Sequence, residues 1–457
     1  MNVVNPATGE AVQSVTELEP SELPKLLTAA RAAQRSWAAT HLSERKAVFV
    51  RFRKLVAERR EELARILTLE VGKPIAQSRN ELNGLLPRLD FFLEHVEAEL
   101  APRVVLGAAE GALEERIAFE PLGVVANVSA WNYPYFVGAN VFVPALLAGN
   151  AVLYKPSELC SLTGLAIEGL LREAGVSEAL FQAVIGGREL GAALVAQPVD
   201  AVFFTGSYVT GRKIAEAVAP RMIRLQLELG GKDPAYVTDE VDVAKAAAAV
   251  ADGAFYNTGQ SCCAVERIYV HERVYAAFLE AFVQEVRGFK LGDPSDEATY
   301  IGPLCRGEPA LTELEAQVAD ATRQGGRLLL GGKRAQRPGF FFEPTVIAEA
   351  TPGMRLMRDE SFGPIIGIAR VSSDEAALSA MADTEYGLTA AVYTQNEARA
   401  AQLLSGLPVG SAYINCCDRV SPHLPWTGRK HSGIGTTLST LGIQAFVQPK
   451  AWHIRRG

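Results

Sequence analysis

The stretch Phe255 to Val270, F-Y-N-T-G-Q-S-C-C-A-V-E-R-I-Y-V, carries two adjacent thiols, Cys262 and Cys263. A thiolate is a strong nucleophile and a good leaving group. These two sit at a break between an Ala-rich helical segment and an apolar, strand-like run. A small molecule can reach a cysteine at such a break. Free cysteine is also among the most buried residue types, so this stretch alone reads as two small core residues. Other polar groups shift that balance. L-E-L-G-G-K at 227–232 places Glu228 in apolar surroundings just before Gly230 and Gly231. A carboxylate there resists ionisation and can serve as a general base; the plain alternative is an edge-strand Glu in water. W-N-Y-P-Y-F at 131–136 places Asn132 after a strand and before a helix opened by Pro134. Its amide can donate to a developing oxyanion, although Asn is also a common turn residue.

A second group suits phosphate and ribose. F-F-T-G-S-Y-V-T-G at 203–211 sets Gly206 and Ser207 between a strand and a helix. A helix amino terminus offers free N–H groups to a pyrophosphate, but the G-x-G-x-x-G fingerprint is missing and an ordinary turn fits as well. L-Y-K-P-S-E at 153–158 ends another strand. Lys155 can donate to ribose hydroxyls and Glu158 can accept from them, in which case Glu158 repels a 2′-phosphate and favours NAD. R-D-E-S-F-G-P at 358–364 holds Glu360 and Phe362 in a loop, where they can hold a ribose and pack on a ring.

The elements that position these groups alternate strand and helix. From Gly123, strands at Val124–Val128, Ala151–Tyr154, Phe181–Ile185 and Ala201–Phe204 are separated by helical segments, which predicts a doubly wound parallel sheet. A second α/β unit begins at Gly230. Before them come three helical regions that read as scaffold: Ser21–Trp37 with Ser21 as N-cap, Ser43–Val71 as one region, and Ser78–Leu100. Val104–Leu106 and Leu113–Phe119 flank a Gly/Ala turn and predict a hairpin, and Ile443–Ile454 is also strand-like. Hairpin and tail together are expected to form an oligomer contact, because an exposed edge needs cover.

Composition narrows the classes. The chain has 457 residues, 48% hydrophobic and 21% charged, with net charge −7. An acidic balance argues against nucleic-acid and membrane-surface partners. Six cysteines include two adjacent pairs, a poor disulfide framework, and no Cys/His spacing suggests a metal. The charge-free stretch between Glu120 and Lys155 is long enough to span a bilayer. Its scattered Asn and Pro fit buried strands and a helix better. No basic, apolar leader opens the chain, so a cytoplasmic protein is expected.

Taken in order, W-N-Y-P, K-P-S-E, F-T-G-S, E-L-G-G-K, G-Q-S-C, E-S-F-G-P and S-G-I-G at 432 resemble the aldehyde dehydrogenase superfamily across nearly the whole chain. The resemblance implies two doubly wound α/β domains plus a β-hairpin oligomerisation element. It divides the chain into a dinucleotide-binding domain (1–100 and 122–228), a catalytic domain (229–430), and an oligomerisation hairpin and tail (101–121 and 440–457). It implies Cys262 as nucleophile, Glu228 as base, and Asn132 with the Cys262 N–H as oxyanion hole. Trp131, Lys155, Ser157, Glu158, Gly206, Ser207, Glu360 and Phe362 resemble the contacts of NAD, with NADP as the alternative. The implied reaction oxidises a small aldehyde to its acid through a thiohemiacetal and a thioester, in a homodimer or homotetramer. A CoA-acylating relative and a non-redox cysteine acyl transferase or hydrolase are the rivals. Semialdehyde-oxidising relatives carry arginines where this chain has Asn140 and Tyr256, which argues against succinate semialdehyde. Arg419 keeps an anionic substrate open, while Tyr133, Phe136, Tyr256 and Trp426 predict an aromatic, largely apolar tunnel.

Overall fold

The computed structural model describes residues 1–107 and 113–455. Its first sheet has six strands in the spatial order 433–434, 224–228, 201–205, 124–128, 151–155, 181–183. The last five run parallel, and Gly433–Ile434 joins antiparallel. Val124–Val128 and Ala151–Lys155 are almost wholly buried, as parallel strands covered on both faces must be. From Val124–Val128 the chain winds to one side, then returns to Ala201–Thr205 on the other. The reversal therefore falls between these two neighbours, where open α/β sheets form a ligand crevice at the strands' carboxyl ends.

The second sheet has seven strands in the order 327–330, 345–348, 365–371, 265–271, 233–237, 389–393, 411–414. Six are parallel, and Arg327–Leu330 pairs antiparallel at one edge. The cysteine-bearing loop enters this sheet at the amino end of Val265–His271. Distinct hydrophobic clusters underlie the two sheets.

A third, antiparallel sheet joins Arg103–Leu106, Leu113–Pro121 and Val447–Arg455. The tail strand pairs with its neighbour over its whole length, from Val447↔Pro121 to Arg455↔Leu113. Val104, Val105 and Trp452 are exposed on this sheet. The expected Gly/Ala turn at 108–112 lies outside the described residues. No helix among the described residues is long and apolar enough to cross a membrane.

Three local expectations need correction. The first helix runs Leu23–Ala39 behind a short 3₁₀ turn, and Glu19 with Glu22 forms the capping box in place of a Ser21 cap. The second region is two helices, Leu42–Glu58 and Arg60–Val71, because Arg59 leaves helical geometry at ψ 14°. Ile443 lies in a short helix, Ser439–Gln444, and the tail strand starts only at Val447.

Candidate active site

The cysteine loop is built on a run of left-handed backbone. Asn257, Thr258 and Gly259 have φ of 53°, 59° and 69°. This conformation strains Asn and Thr and persists only where the surroundings over-determine it. At Gly259 a side chain is excluded outright, since a Cβ would lie 2.4 Å from the Gly363 carbonyl oxygen. Buried amides hold the loop. Asn257 Nδ2 donates to the Gln260 carbonyl at 3.0 Å and to the Asn132 carbonyl at 3.3 Å. Asn132 Nδ2 donates to the same Gln260 carbonyl at 3.2 Å. One amide hydrogen of Asn132 is thus fixed two residues before Cys262, and an amide nitrogen carries two.

Cys262 is partly exposed and Cys263 is buried. The Cys263 thiol donates to Asp418 Oδ1 at 3.0 Å, and Ser261 Oγ donates to the same oxygen at 2.9 Å. Its hydrogen-bonded contact with Cys262, with burial, holds the Cys263 thiol well above the usual thiol range. Burial raises Asp418 to about 6.

Glu228 ends the strand Arg224–Glu228 and is buried. Burial pushes its carboxyl up to about 7, against the pull of hydrogen bonds from Thr437 and Gln226. Both donate to Oε1, Gln226 Nε2 at 3.0 Å, which leaves Oε2 without a protein donor among the described residues. Cys262, Asn132 and Glu228 all line one cleft of about 620 Å³.

The expected cofactor residues fall into two sets. Lys155 is buried at the carboxyl end of Ala151–Lys155. Its ammonium donates to the Pro156 carbonyl at 3.0 Å and lies 3.9 Å from the half-exposed Glu158 carboxylate. Ser157 Oγ accepts from the Leu159 N–H. Gly206 N–H bonds the Glu228 carbonyl, and Ser207 caps the helix Tyr208–Val218. These residues follow the strands that flank Val124–Val128, at the crevice the topology predicts.

In the second set, Glu360 accepts from the Gly231 N–H at 3.1 Å, and the Phe362 ring stands 5.5 Å from that of Trp131. Burial and then the Glu266 charge raise the Glu360 carboxyl to about 8. Glu266 organises this loop. It accepts from the Ser361 and Phe362 N–H groups and pairs with Lys232 at 2.5 Å. A dinucleotide fits this donor set. Lys155 has free donors beside a carboxylate, Ser207 opens a helix amino terminus, and the Trp131 and Phe362 rings stand edge to face.

Several cleft residues were invisible in the sequence. Thr437 contacts Glu228 from a segment 209 residues away in sequence. The helix Ile75–Leu100, read as scaffold, supplies Asn80, Glu81 and Arg88 to the cleft. The walls are therefore not largely apolar. Tyr133, Phe136, Tyr256 and Trp426 do line the cleft, but Lys73 lies 3.7 Å behind the Tyr133 ring and Arg88 3.7 Å from that of Phe136. Apolar periodicity marks which face of a helix is buried, not what a buried cation will meet.

The profile of the aldehyde dehydrogenase family matches residues 1–452. A succinate-semialdehyde dehydrogenase (NADP⁺) of Deinococcus radiodurans is 36% identical, over 98% of this chain and 93% of its own length. The peroxisomal aminoaldehyde dehydrogenase 1 of Malus domestica is 33% identical, over 98% of this chain and 91% of its own. The crystal structure of an NAD-dependent aldehyde dehydrogenase from Sinorhizobium meliloti superposes with a TM-score of 0.96 at 33% identity, covering all of this chain and 91% of that one. Shared sequence and shared architecture along the full length agree, and the chain belongs to the aldehyde dehydrogenase family.

Proposed function

We propose that this protein oxidises an aldehyde to its carboxylic acid, with NAD or NADP as the hydride acceptor. The carrying observation is the convergence of Cys262, Asn132 and Glu228 on one cleft, beside the strand ends that suit a dinucleotide. The Cys262 thiolate adds to the carbonyl carbon, forming a C–S bond and an oxyanion. The second Asn132 amide hydrogen and the Cys262 N–H stabilise that oxyanion. Lys155, Ser157, Glu158, Gly206, Ser207, Glu360, Phe362 and Trp131 would hold NAD or NADP, which when bound would supply the acceptor for the hydride lost as the oxyanion collapses. A thioester on Cys262 remains. Glu228 then takes a proton from water, the hydroxide adds to the thioester, and the C–S bond breaks to release acid and thiolate. A carboxyl poised near 7 suits this exchange at neutral pH. Glu228 also separates this reading from acyl transfer to CoA, which needs no base for water.

The domain roles follow. Residues 1–100 and 122–228 bind the dinucleotide, 229–430 carry the nucleophile, and 101–121 with 440–457 join subunits into a homodimer or homotetramer. The exposed Val104, Val105 and Trp452 support the last role. All six thiols are free, which suits a reducing cytoplasm. The decisive test follows reduced-cofactor absorbance with NAD, then NADP, across aliphatic, aromatic, amino and carboxy aldehydes. Reduction by some aldehyde is expected; silence from a folded, NAD-binding protein overturns the reading. Glu158→Ala is expected to weaken selection for NAD over NADP, read as the ratio of kcat/KM for the two cofactors. An unchanged ratio places Glu158 away from the ribose.

A further inference from the structure

The helix Ile75–Leu100 carries two buried polar side chains one turn apart, Gln77 and Glu81. Residues four apart share one helix face. Each reaches a different half of the active site. Gln77 Oε1 accepts from the Asn257 N–H at 2.9 Å, at the start of the left-handed run that leads to Cys262. Its Nε2 donates to the Tyr300 carbonyl at 3.0 Å, so the amide is satisfied at both ends. Glu81 Oε1 accepts from the Tyr135 N–H at 2.9 Å and the Phe136 N–H at 3.4 Å. Those groups lie in the first turn of the helix Pro134–Leu147, which opens two residues after Asn132. Tyr133, at its cap position, makes no side-chain cap bond. Glu81 therefore caps that helix from outside it, where a carboxylate also suits the helix dipole.

The carboxylate is itself pinned. The Lys73 ammonium pairs with Glu81 Oε2, and both side chains are sealed from solvent. The same ammonium lies 3.7 Å from the centre of the Tyr133 ring. A buried ion pair adds little net stability, because desolvation offsets its attraction. What it fixes is position. The two grips, on Asn257 and on the helix after Asn132, start about 6 Å apart along one rigid helix, at 1.5 Å of rise per residue. The two halves then meet at the Gln260 carbonyl, which accepts from both Asn132 Nδ2 and Asn257 Nδ2.

We propose that Gln77 and Glu81 form a two-point gauge that sets the Asn132 amide against the Cys262 loop, as positioning residues of the oxyanion hole. The proposal rests on the reading that Cys262 adds to a carbonyl beside Asn132. Both residues act through Asn132 and the Cys262 N–H. A helix that reads as scaffold thus holds the two donors in register before substrate arrives, and small misplacements of such donors are costly.

The test sets carbonyl addition against displacement at the same thiol. With 4-nitrophenyl acetate the Cys262 thiolate adds to the ester carbonyl, an oxyanion forms, and nitrophenolate leaves; water then hydrolyses the acetyl thioester. With iodoacetamide the thiolate displaces iodide from a saturated carbon, and no oxyanion forms. Hydrolysis is taken above the rate of Cys262→Ala, and alkylation is read at Cys262 by mass spectrometry. Gln77→Met removes one grip without adding charge. It is expected to lower kcat for hydrolysis about 10- to 100-fold with little change in KM. Gln77→Glu, which keeps an acceptor, restores part of that loss. Lys73→Met/Glu81→Gln and Lys73→Met/Glu81→Leu both remove the ion pair, and only the first keeps an acceptor for the Tyr135 N–H. The second is expected to fall below the first by a similar factor. Alkylation keeps its wild-type rate throughout. Unchanged hydrolysis in Gln77→Met overturns the gauge, as do equal rates in the two double variants. So does an equal loss of alkylation, which marks a collapsed loop and not a misplaced donor. Should the double variants fail to fold, the Gln77 pair decides. Neither reaction needs a cofactor, so the outcome stands apart from oxidation. Wild type that hydrolyses the ester with this variant pattern, yet oxidises no aldehyde, upholds the gauge and sinks the oxidation. Wild type that hydrolyses no ester overturns the gauge.

Discussion

Asn132 and Asn140 flank one cleft on adjoining turns of chain, both buried, both carrying the same amide. Asn132 is fixed: it donates to the Gln260 carbonyl, and its own carbonyl accepts from Asn257. Asn140 has no protein partner for its side chain among the described residues. The contrast extends to their neighbours. On the Asn132 side, Gln260 and Asn257 hold one another in a buried network, and Glu228 is held by Gln226 and Thr437. On the Asn140 side, the Arg88 guanidinium donates only to backbone carbonyls and stacks on the Phe136 ring. Groups that act at the reacting carbon must be held before substrate arrives, because catalysis gains from donors that need no reorganisation. Groups that recognise the rest of the substrate are completed by it. The satisfied Asn132 amide fits a role at the reacting carbon, while the buried Asn140 Oδ1 is an acceptor left without a protein donor among the described residues.

The satisfied side is the more sensitive to substitution. Cys262→Ala is expected to remove oxidation entirely, whereas Cys263→Ala retains most of it, both read as cofactor reduction at saturating aldehyde. The reverse result transfers the nucleophile to Cys263, despite its burial and its bond to Asp418. Glu228→Gln is expected to slow turnover by about 10²–10⁴-fold while NAD binding is kept. Unaltered turnover removes Glu228 from the mechanism.

The same substitution has a pH signature in stability. Burial raises the Glu228 carboxyl from its usual 4.5 to about 7, so the folded state holds this proton more tightly than the unfolded chain. Its contribution is therefore full below about 4.5 and is lost as pH rises through 7. A glutamine at this position lacks that loss and can still accept both hydrogen bonds at Oε1. The stability of Glu228→Gln relative to wild type should then grow between pH 5 and pH 8, by roughly 3 kcal/mol at most. A difference that stays flat with pH, in denaturant titrations, contradicts the raised carboxyl.

How far these two sides were legible in the sequence differs for the same reason. Cys262, Glu228 and Asn132 stand in short motifs whose neighbours, Gly231, Gln260 and Pro134, serve the same local geometry. The parallel sheets were legible too, because strands buried on both faces read as apolar runs. Arg88 was not. It sits in the amphipathic helix Ile75–Leu100 among charged residues, such as Arg79 and Asp90, that face solvent and pair there. Nothing local distinguishes a solvated arginine from one turned into a cleft. Thr437 escaped for another reason, since a hydroxyl 209 residues from its partner in sequence leaves no periodic trace. The break at Arg59 and the helix before the tail strand were lost at boundaries, where short elements lean on tertiary contacts rather than propensity.

The smallest expected effects test the contrast most directly, because they set the two amides against each other. Asn132→Leu deletes a satisfied donor and leaves the Gln260 carbonyl with Asn257 alone, so the protein should lose about 1 kcal/mol or more. Turnover should fall by about 10²–10³-fold as well, if the second amide hydrogen meets the oxyanion. Asn140→Leu instead removes a buried acceptor that no protein group satisfies and adds an apolar side chain beside Phe136. Replacing an unsatisfied polar group by an apolar one of similar shape is neutral or stabilising. Thermal and denaturant unfolding should therefore move in opposite directions for the two variants, with Asn140→Leu gaining up to about 1 kcal/mol. An Asn140→Leu variant as destabilised as Asn132→Leu would mean that both amides are equally engaged, and the division of the cleft into a fixed side and a ligand-completed side would fall.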